Sequence, residues 1–272
     1  MDVLWAEPDE SSGLSTLEKL AEEKLADNKA FHMALEMIRP SLQRDQIFAR
    51  SLENRPVVLG YFFDTTGDTN TTGKLPEPVF NKRDFSGRKV TPGTATGYGA
   101  NLELFQQVAT DAGHFISDTD FDGIVRKVPM LIEYQGNYYS SLSLAIIRQL
   151  ARGADISAGF AQGTESHSSY TGLEWLALGN HIIPVDAQVK ALVPYRGPKG
   201  SFAYVSATDV LNQSVPADKL QGTIALLGAS ALGLLDLRST PVQRNFPGVE
   251  IHANIISGFI DQTLKHSPAW AI

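Results

Sequence analysis

The first fifty positions carry apolar residues at helical spacing. Leu14, Leu17 and Leu25 fall on one side of an ideal helix, with Glu and Lys on the other, which predicts an amphipathic helix. Ser15 and Glu18 have the spacing of a capping box, so we expect this pair to close the start of that helix. The pattern therefore predicts a helix that packs one face onto the rest of the protein.

Two further helical patterns follow, and then a continuous apolar run. The second helix must bend or end near Pro40, because proline cannot donate a backbone hydrogen bond, and the third covers 41–53. VVLGYFF at 57–63 predicts a buried strand. A second run, TIALL at 223–227, predicts another buried strand that ends in Gly228.

The rest of the chain alternates between strand and helix patterns. The predicted strands are 125–134, a second short strand after a tight turn at 135–137, and the stretches 172–186 and 187–197. The predicted helices are 101–110, one after that second strand, one that starts at Ser206 or Thr208, and a terminal helix, 249–264, with Pro247 near its start. Helices interspersed with strands are typical of a mixed α/β fold. We therefore expect a single α/β domain, 1–272, in which helices pack on a mixed sheet.

The stretch 64–100 is the most polar part of the chain and is rich in glycine. Its composition predicts a loop excursion over the surface. A binding loop is the alternative, because binding residues are often carried by long loops.

Composition excludes several classes of function. The chain has 272 residues, a net charge of −7 and no cysteine, so disulfides, thiolate catalysis and cysteine metal sites are excluded. No basic cluster stands out, which argues against nucleic acid as a partner. No apolar stretch approaches the roughly 20 residues that span a bilayer.

The glycine-containing loop after the 223–227 run does not match a known phosphate or nucleophile motif. Leu234 and Leu235 stand where a Walker A loop needs Lys and Ser or Thr, and Ser230 replaces the central glycine of a dinucleotide fingerprint. Leu232 breaks a nucleophile elbow around Ser230. No motif in the chain indicates catalysis, and none predicts a cofactor.

Two other polar groups resemble sites only in part. DTDFDG at 118–123 begins like a calcium loop, but Pro129 stands at the twelfth position, where a carboxylate is needed. The six histidines show no helical zinc spacing. Glu250, His252 and Asn254 lie in the terminal helix, either as the polar rim of a site or as groups that cap the helix and make hydrogen bonds in the core.

The order of five blocks along nearly the whole chain resembles the type-two CHASE domain. The blocks are EPD near the start, ARSLENRPVVLGYFF, FISDTDFDGIVRKVPMLIEYQGNYYSSLSLAIIRQ, YRGPKGSFAYVSATDVLNQSVPADKLQGTIALLGASALGLLDLRSTP and FPGVEIHANIISGFI. The combination is specific, above all D-x-D-G-x-x-R-x-V-P and the last two blocks. Members of this family usually have another strand and helix upstream, and transmembrane helices and an output domain downstream. By this comparison the sheet lacks the first strand and helix, and 64–100 is longer than usual.

The resemblance implies an extracytoplasmic, periplasmic sensor domain of a bacterial membrane receptor, without enzymatic activity of its own. The implied output domain, outside this chain, is a nucleotide cyclase or a kinase. The partner would be an unknown small-molecule or ionic signal, and a homodimer is possible. The full-length protein would be anchored in the membrane by segments outside these residues.

Ligands of open α/β sheets usually bind beyond the carboxyl ends of strands, which points to the loop 228–241. The candidate ligand-binding residues are Ser230, Asp236, Arg238, Thr240, Arg126 and Arg196. The two outlying arginines are included because guanidinium groups suit carboxylate and phosphate ligands. Asp236 and Arg238 are equally compatible with a structural ion pair. A ligand-free dimerisation module that positions output domains is the alternative function; a hydrolase would depend on Ser230 alone.

Overall fold

The computed structural model describes residues 1–88, 90–160, 172–230 and 236–265. Its helices are α1 Leu14–Glu23, α2 Lys29–Leu42, α3 Arg44–Leu52, α4 Glu103–Val108, α5 Leu142–Leu150, α6 Ala207–Leu211 and α7 Gly248–Ile260. Its strands are β1 Val58–Asp64, β2 Thr71–Thr72, β3 Phe80–Asn81, β4 Gly93–Thr94, β5 Gly97–Gly99, β6 Asp111–His114, β7 Lys127–Pro129, β8 Leu131–Tyr134, β9 Asn137–Ser140, β10 Ile156–Phe160, β11 Leu173–Leu178, β12 His181–Pro184, β13 Lys190–Leu192, β14 Leu237–Arg238 and β15 Phe246–Pro247.

The predicted strand at 57–63 is confirmed as β1, which lies inside a mixed sheet of order β2-β5-β1-β6. β1 pairs with β6 in parallel, with Leu59 opposite Ala112, and with β5 in antiparallel, with Phe63 opposite Tyr98. Because neighbouring strands take up both edges of β1, its backbone groups are paired. Its apolar side chains are buried except for Phe62, which is exposed.

A second mixed sheet, of order β3-β9-β8-β4, continues the first. The β8–β9 hairpin turns at Gln135 and Gly136, whose φ angles of 50° and 84° suit a tight hairpin connection. An isolated parallel bridge between His114 and Ser141 joins the two sheets. Ser141 also caps α5, since its hydroxyl accepts a hydrogen bond of 3.2 Å from the Leu144 amide.

Helices α5 and α7 pack against each other, and α5 also packs on β1 and β6. Leu144, Ile147 and Ile255 are fully buried at this junction. α7 is buried on almost every face, which is typical of a helix in the centre of a core. Helices packed on mixed sheets confirm the predicted α/β class.

The predicted capping box of α1 is wrong. The residue before the helix is Gly13, with φ 73°, and the Ser12 hydroxyl lies 3.4 Å from the Leu14 amide. Ser15 is therefore already inside the first turn, and no side chain caps the helix. The Glu18 carboxylate is bound instead by Arg39 of α2, so a tertiary ion pair takes the place of the predicted local hydrogen bonds.

The predicted terminal helix is confirmed, but it ends at Ile260 and not at 264. Gln262 adopts φ 55°, the Thr263 amide donates to the Gly258 carbonyl at 2.8 Å, and the Gln262 amide donates to Phe259 at 3.2 Å. This pair of hydrogen bonds is a Schellman motif, which stops a helix and satisfies its last carbonyls. A sequence pattern without Gly or Pro at this place did not indicate the stop.

The polar stretch 64–100 is more ordered than the predicted loop excursion. It contributes β2 and β5 to the first sheet and β3 and β4 to the second. Gly99 lies against the ring of Phe62, where a Cβ atom would approach Phe62 Cζ to 2.6 Å, so a larger residue would displace that ring. Strands of two or three residues are too short for an alternating pattern to show in the sequence.

The predicted buried strand at 223–227 is wrong. Residues 223–225 and Leu227 are exposed, only Leu226 is partly covered, and the segment belongs to no named strand. Its backbone makes one strand-like pairing, an isolated parallel bridge between Gly228 and Asp2, with the Asp2 amide 2.7 Å from the Leu227 carbonyl. An apolar run becomes a buried strand only where neighbouring strands and a covering layer accept it, and here one bridge is the whole of that support.

Candidate functional site

The first turn of α7 is the point at which several predicted site residues meet. Pro247 precedes the helix and offers no side-chain cap, and the Gly248 amide donates to the Asp236 carbonyl at 3.0 Å. Pairing of β14 with β15 places Leu237 opposite Pro247 and Arg238 opposite Phe246. The loop 236–240 is thus fixed beside the amino-terminal end of the helix.

Asp236 lies directly over this turn. A Cβ atom at Gly248 would collide with the Asp236 carboxylate, so glycine is required for the approach. Burial raises the pKa of Asp236, while Arg238 and the Gly248 amide act against that rise. A negative charge at the start of a helix is favoured by the helix dipole, which helps to hold the carboxylate in place.

Arg238 is a partly exposed cation with spare donors. Its Nη2 lies 3.7 Å from Asp236 Oδ1, which is a loose ion pair. Its Nε is buried and has no hydrogen-bond partner among the described residues. A buried donor without a partner is costly, but this nitrogen is out of reach of solvent, so a ligand could meet only the exposed part of the side chain.

Glu250, in the same turn, is contacted by residues of the loop before α6. The Glu250 carboxylate is buried and accepts a hydrogen bond of 2.6 Å from the Tyr204 hydroxyl and one of 3.2 Å from the Gly200 amide. Burial, and then the bond to Glu250 and its charge, raise the pKa of Tyr204 well above its ordinary value. Lys199 Nζ lies 3.4 Å from the Ser230 carbonyl and 5.9 Å from the centre of the Tyr204 ring.

These residues form one charged group around the first turn of α7. We call Lys199, Tyr204, Asp236, Arg238 and Glu250 the α7-turn cluster. Asp236 and Glu250 lie at the first turn of α7, Arg238 lies next to Asp236, and Lys199 lies next to Tyr204, so the cluster has two cations and two carboxylates to offer a small polar or charged ligand. Residues 231–235 of the predicted loop lie outside the described part of the chain.

Of the predicted site residues, four lie at or beside this cluster. Asp236 and Arg238 belong to it, and Ser230 meets Lys199 through its backbone carbonyl. Thr240 is buried, and its hydroxyl donates to the Gln243 carbonyl at 2.8 Å and accepts from the Gln243 amide at 3.2 Å. Thr240 therefore holds the loop closed, and its hydroxyl is already engaged.

Arg126 and Arg196 make ion pairs of their own, outside the α7-turn cluster. Arg126 bridges Asp120 at 2.7 Å and Asp122 at 2.8 Å, so the carboxylates of the calcium-like turn neutralise it. Arg196 pairs with Asp261, just after α7. Each of these guanidinium groups therefore already has a carboxylate partner.

Lys199, Tyr204 and Glu250 are the cluster members that were not among the predicted site residues. The useful signal was Glu250 in the apolar helix VEIHANII, since a carboxylate is rarely buried unless it is paired. Asn254 was part of the same pattern, and it now has clear partners. Its side chain donates to the Glu250 carbonyl at 2.7 Å and accepts from the Arg196 amide at 2.9 Å.

His252 turns into the core behind the cluster, towards His114 of β6. Both imidazoles are buried, and His114 has no hydrogen-bond partner for either ring nitrogen in the described part of the chain. Burial lowers the pKa of His252 to about 4, although a hydrogen bond to the Phe115 backbone opposes the change. Burial and, secondarily, His252 lower the pKa of His114 to about 3. Both rings are therefore neutral near pH 7.

A separate open cavity of about 560 Å³ lies on another part of the surface. Its polar lining includes Asp84, Arg148, Gln149 and Asp155. Arg148 is bound to the buried Asp111 carboxylate by Nε at 2.7 Å, so its charge is largely committed to the core. None of the predicted site residues lines this cavity.

Within the described ranges the structure shows neither a metal-binding cluster nor a membrane-spanning helix. No group of three or more His, Asp or Glu side chains that could hold a metal ion is found within them. Among the same residues, no helix has the length and apolar character needed to cross a bilayer.

A comparison with known protein families tests the resemblance to the type-two CHASE domain. The family model described as CHASE2 domain matches residues 1–272, the whole chain. The chain belongs to the CHASE2 domain family. CHASE2 domains are extracellular sensory modules of signal-transduction receptors and are not catalytic. No curated protein and no solved structure matches this CHASE2 domain.

Proposed function

We propose that this CHASE2 domain is the extracytoplasmic, periplasmic sensor of a bacterial membrane receptor and that it recognises a small polar or ionic signal at the α7-turn cluster. Membership of a sensory family supports the general role. The receptor would be anchored through segments outside these residues, and its output would be an adenylate or guanylate cyclase or a kinase.

The observation that carries the ligand proposal is the unused binding capacity of the cluster. The Arg238–Asp236 contact is long, at 3.7 Å, and the Arg238 side chain is 41% exposed. A carboxylate or phosphate could accept hydrogen bonds from the exposed part of this guanidinium. The neighbouring Asp236 and Glu250 carboxylates would then select ligands that also carry donor groups, such as amino or hydroxyl substituents.

Helix α7 offers a route from this cluster to the other end of the domain. The helix begins at the cluster with Gly248 and ends at Ile260, beside the Arg196–Asp261 pair. A ligand transmits a signal only if it binds one conformation better than another. A ligand that pulls Arg238 away from Asp236 would alter the contacts of the first turn, and the rigid helix would carry that change to its carboxyl end.

Thermal unfolding in the presence of small metabolites and ions tests the proposal. A ligand of the folded state raises the free energy of unfolding by mass action, by about 2.7 kcal/mol at a hundredfold excess over Kd, and the unfolding temperature rises with it. We expect a hit in a library of amino acids, hydroxy acids and phosphates, and we expect Arg238→Ala to abolish its effect. Arg244→Ala is the matched control, because Arg244 is exposed on the next loop and carries the same charge.

Two results would contradict this assignment. One is the absence of any stabilising compound across the library. The other is a compound that stabilises Arg238→Ala as strongly as the unaltered protein, since its site would then lie elsewhere on the domain.

A further inference from the structure

The segment 203–227, which we call the arm, leaves most of its side chains in water. Within 203–225 every residue except Val215 is exposed, and α6 has no buried residue. Seven large apolar side chains of the arm are between 36% and 82% exposed: Tyr204, Val205, Val210, Leu211, Leu220, Ile224 and Leu227. A soluble domain rarely exposes so many apolar groups together unless the surface binds something.

The arm is held at its two ends and extends outward between them. At the start, the Tyr204 hydroxyl is bonded to Glu250 in the first turn of α7. At the end, Gly228 lies against Val249 of the same turn, where an added Cβ atom would approach Val249 Cβ to 2.6 Å. Hydrogen bonds of residues 205–225 within the described chain connect residues of the arm to one another.

The charge of the arm favours a second copy of the same chain as its partner. The chain has a net charge of −7, so two copies repel each other over most of their surfaces. The arm contains only Asp209, Asp218 and Lys219 as charged residues, which leaves it close to neutral. Two like-charged molecules approach each other at least cost where both surfaces are apolar and nearly uncharged.

The size and form of the arm also fit a symmetric pair. A stable interface takes roughly 20–30 residues from each partner, which is about the length of 203–227. In a twofold dimer each copy presents the same patch. The run 223–227 is exposed except at Leu226, and its only strand-like pairing among the described residues is with Asp2, at its end. It can therefore pair antiparallel with the same run of the other copy, an arrangement that a twofold axis permits.

From these observations we infer that the arm is a self-association surface, which docks against the arm of a second copy of this chain. Dimerisation buries the apolar side chains on α6 and on 220–227. Because both ends of the arm contact the first turn of α7, the dimer also joins the two α7 helices through Glu250 and Val249. The inference does not depend on a ligand at the α7-turn cluster.

Sedimentation over a range of concentrations tests the surface. We expect the unaltered chain to dimerise reversibly at micromolar concentrations, and Leu211→Asp to weaken the dimer at least tenfold. Met37→Asp on α2 is the matched control, because Met37 and Leu211 are both 82% exposed. Circular dichroism should be unchanged in both variants, and so should the unfolding temperature at concentrations where all proteins are monomeric, since neither side chain is buried in the monomer.

Cysteine cross-linking supplies a second measurement. Because the chain has no native cysteine, every disulfide must come from the introduced thiols. Single cysteines at Val210, Leu211, Leu220 and Ile224 place a thiol at intervals along the arm, and at least one should lie close enough to its twofold mate to form an intermolecular disulfide. Met37→Cys should not cross-link at the same protein concentration.

Three outcomes would overturn the inference. They are a monomer at every concentration, a dimer that Leu211→Asp and Met37→Asp weaken equally, and a failure of all four arm cysteines to cross-link. Ligand stabilisation measured on Leu211→Asp separates this surface from the sensor proposal, because the α7-turn cluster is intact in that variant.

Discussion

Two apolar runs of this domain look alike in sequence and differ in the structure. VVLGYFF at 57–63 and TIALL at 223–227 are both short apolar runs that contain β-branched residues, a class that favours strands. The first is β1, with β5 and β6 as neighbours and Leu59 and Tyr61 fully buried. The second is exposed and has one bridge, to Asp2. The comparison teaches that strand propensity is a local property, whereas burial of a strand depends on what lies beside it.

Truncation of one side chain in each run gives the largest expected difference. Leu59→Ala opens a cavity in a fully buried place and should lower the free energy of unfolding by about 2–5 kcal/mol. Ile224→Ala removes a side chain that is 44% exposed and should cost less than about 1 kcal/mol in the monomer. Urea unfolding of both variants at low protein concentration measures the difference. Equal losses would show that 223–227 is buried as deeply as β1.

The next largest effect is the pH dependence of stability that arises from His252, which faces His114 on the strand beside β1. His114 of β6 faces His252, and burial holds the pKa of His252 near 4, against an ordinary value of 6.5. A lowered histidine pKa contributes stability above pH 6.5, and this contribution is lost as the pH falls towards 4. Between pH 6.5 and pH 4, this group should lower the free energy of unfolding by on the order of 2–3 kcal/mol, and His252→Gln should remove that loss.

His181→Gln provides the control for that experiment, because His181 is exposed on β12. We expect the control to keep the full acid sensitivity in urea titrations between pH 4 and 7. An unchanged pH slope in His252→Gln would mean that its imidazole is not held neutral by burial.

Asp2, which forms the bridge at the end of the second run, should give the free energy of unfolding a pH dependence of opposite sign and smaller size. Burial, and then the charge of Asp236, raise the pKa of Asp2 to about 7. A raised carboxyl pKa contributes stability below about pH 3.8, which is lost as the pH rises through 7. Asp2→Asn should therefore stabilise the domain above pH 7, by on the order of 1–2 kcal/mol because Asp2 keeps some contact with water.

Unfolding of Asp2→Asn at pH 5 and pH 8 measures this effect. The stabilisation should be larger at pH 8, and Asp68→Asn, on an exposed turn, should show no such difference. A larger gain at pH 5 would reverse the sign and exclude a raised pKa at Asp2.

Much of the fold was predictable from local pattern. The β8–β9 hairpin has a tight turn at Gln135 and Gly136, and the helix after it begins at Ser141 with a side-chain cap. These elements were predicted because turn and cap preferences act over a few residues. The cap predicted for α1 failed for the opposite reason, since Arg39, twenty-one residues beyond Glu18, took up its carboxylate.

The candidate site was predictable only in part. The loop after 223–227 was the expected place, and Asp236 and Arg238 do lie at the first turn of α7. The premise was wrong, however, because no buried strand precedes that loop. Lys199 and Tyr204 reach the cluster from a different part of the chain, and no spacing in the sequence connects them with Glu250.

By itself the sequence determined the α/β class, β1, the hairpin, the start of α7 and the family, because each depends on neighbouring residues or on the order of motifs. The tertiary structure alone decided that Arg126 and Arg196 pair with carboxylates, that Glu250 meets Tyr204, and that 223–227 stays exposed. The physical reason is that an ion pair or a buried strand requires a partner distant in the chain, and residue type specifies the need for a partner without identifying it.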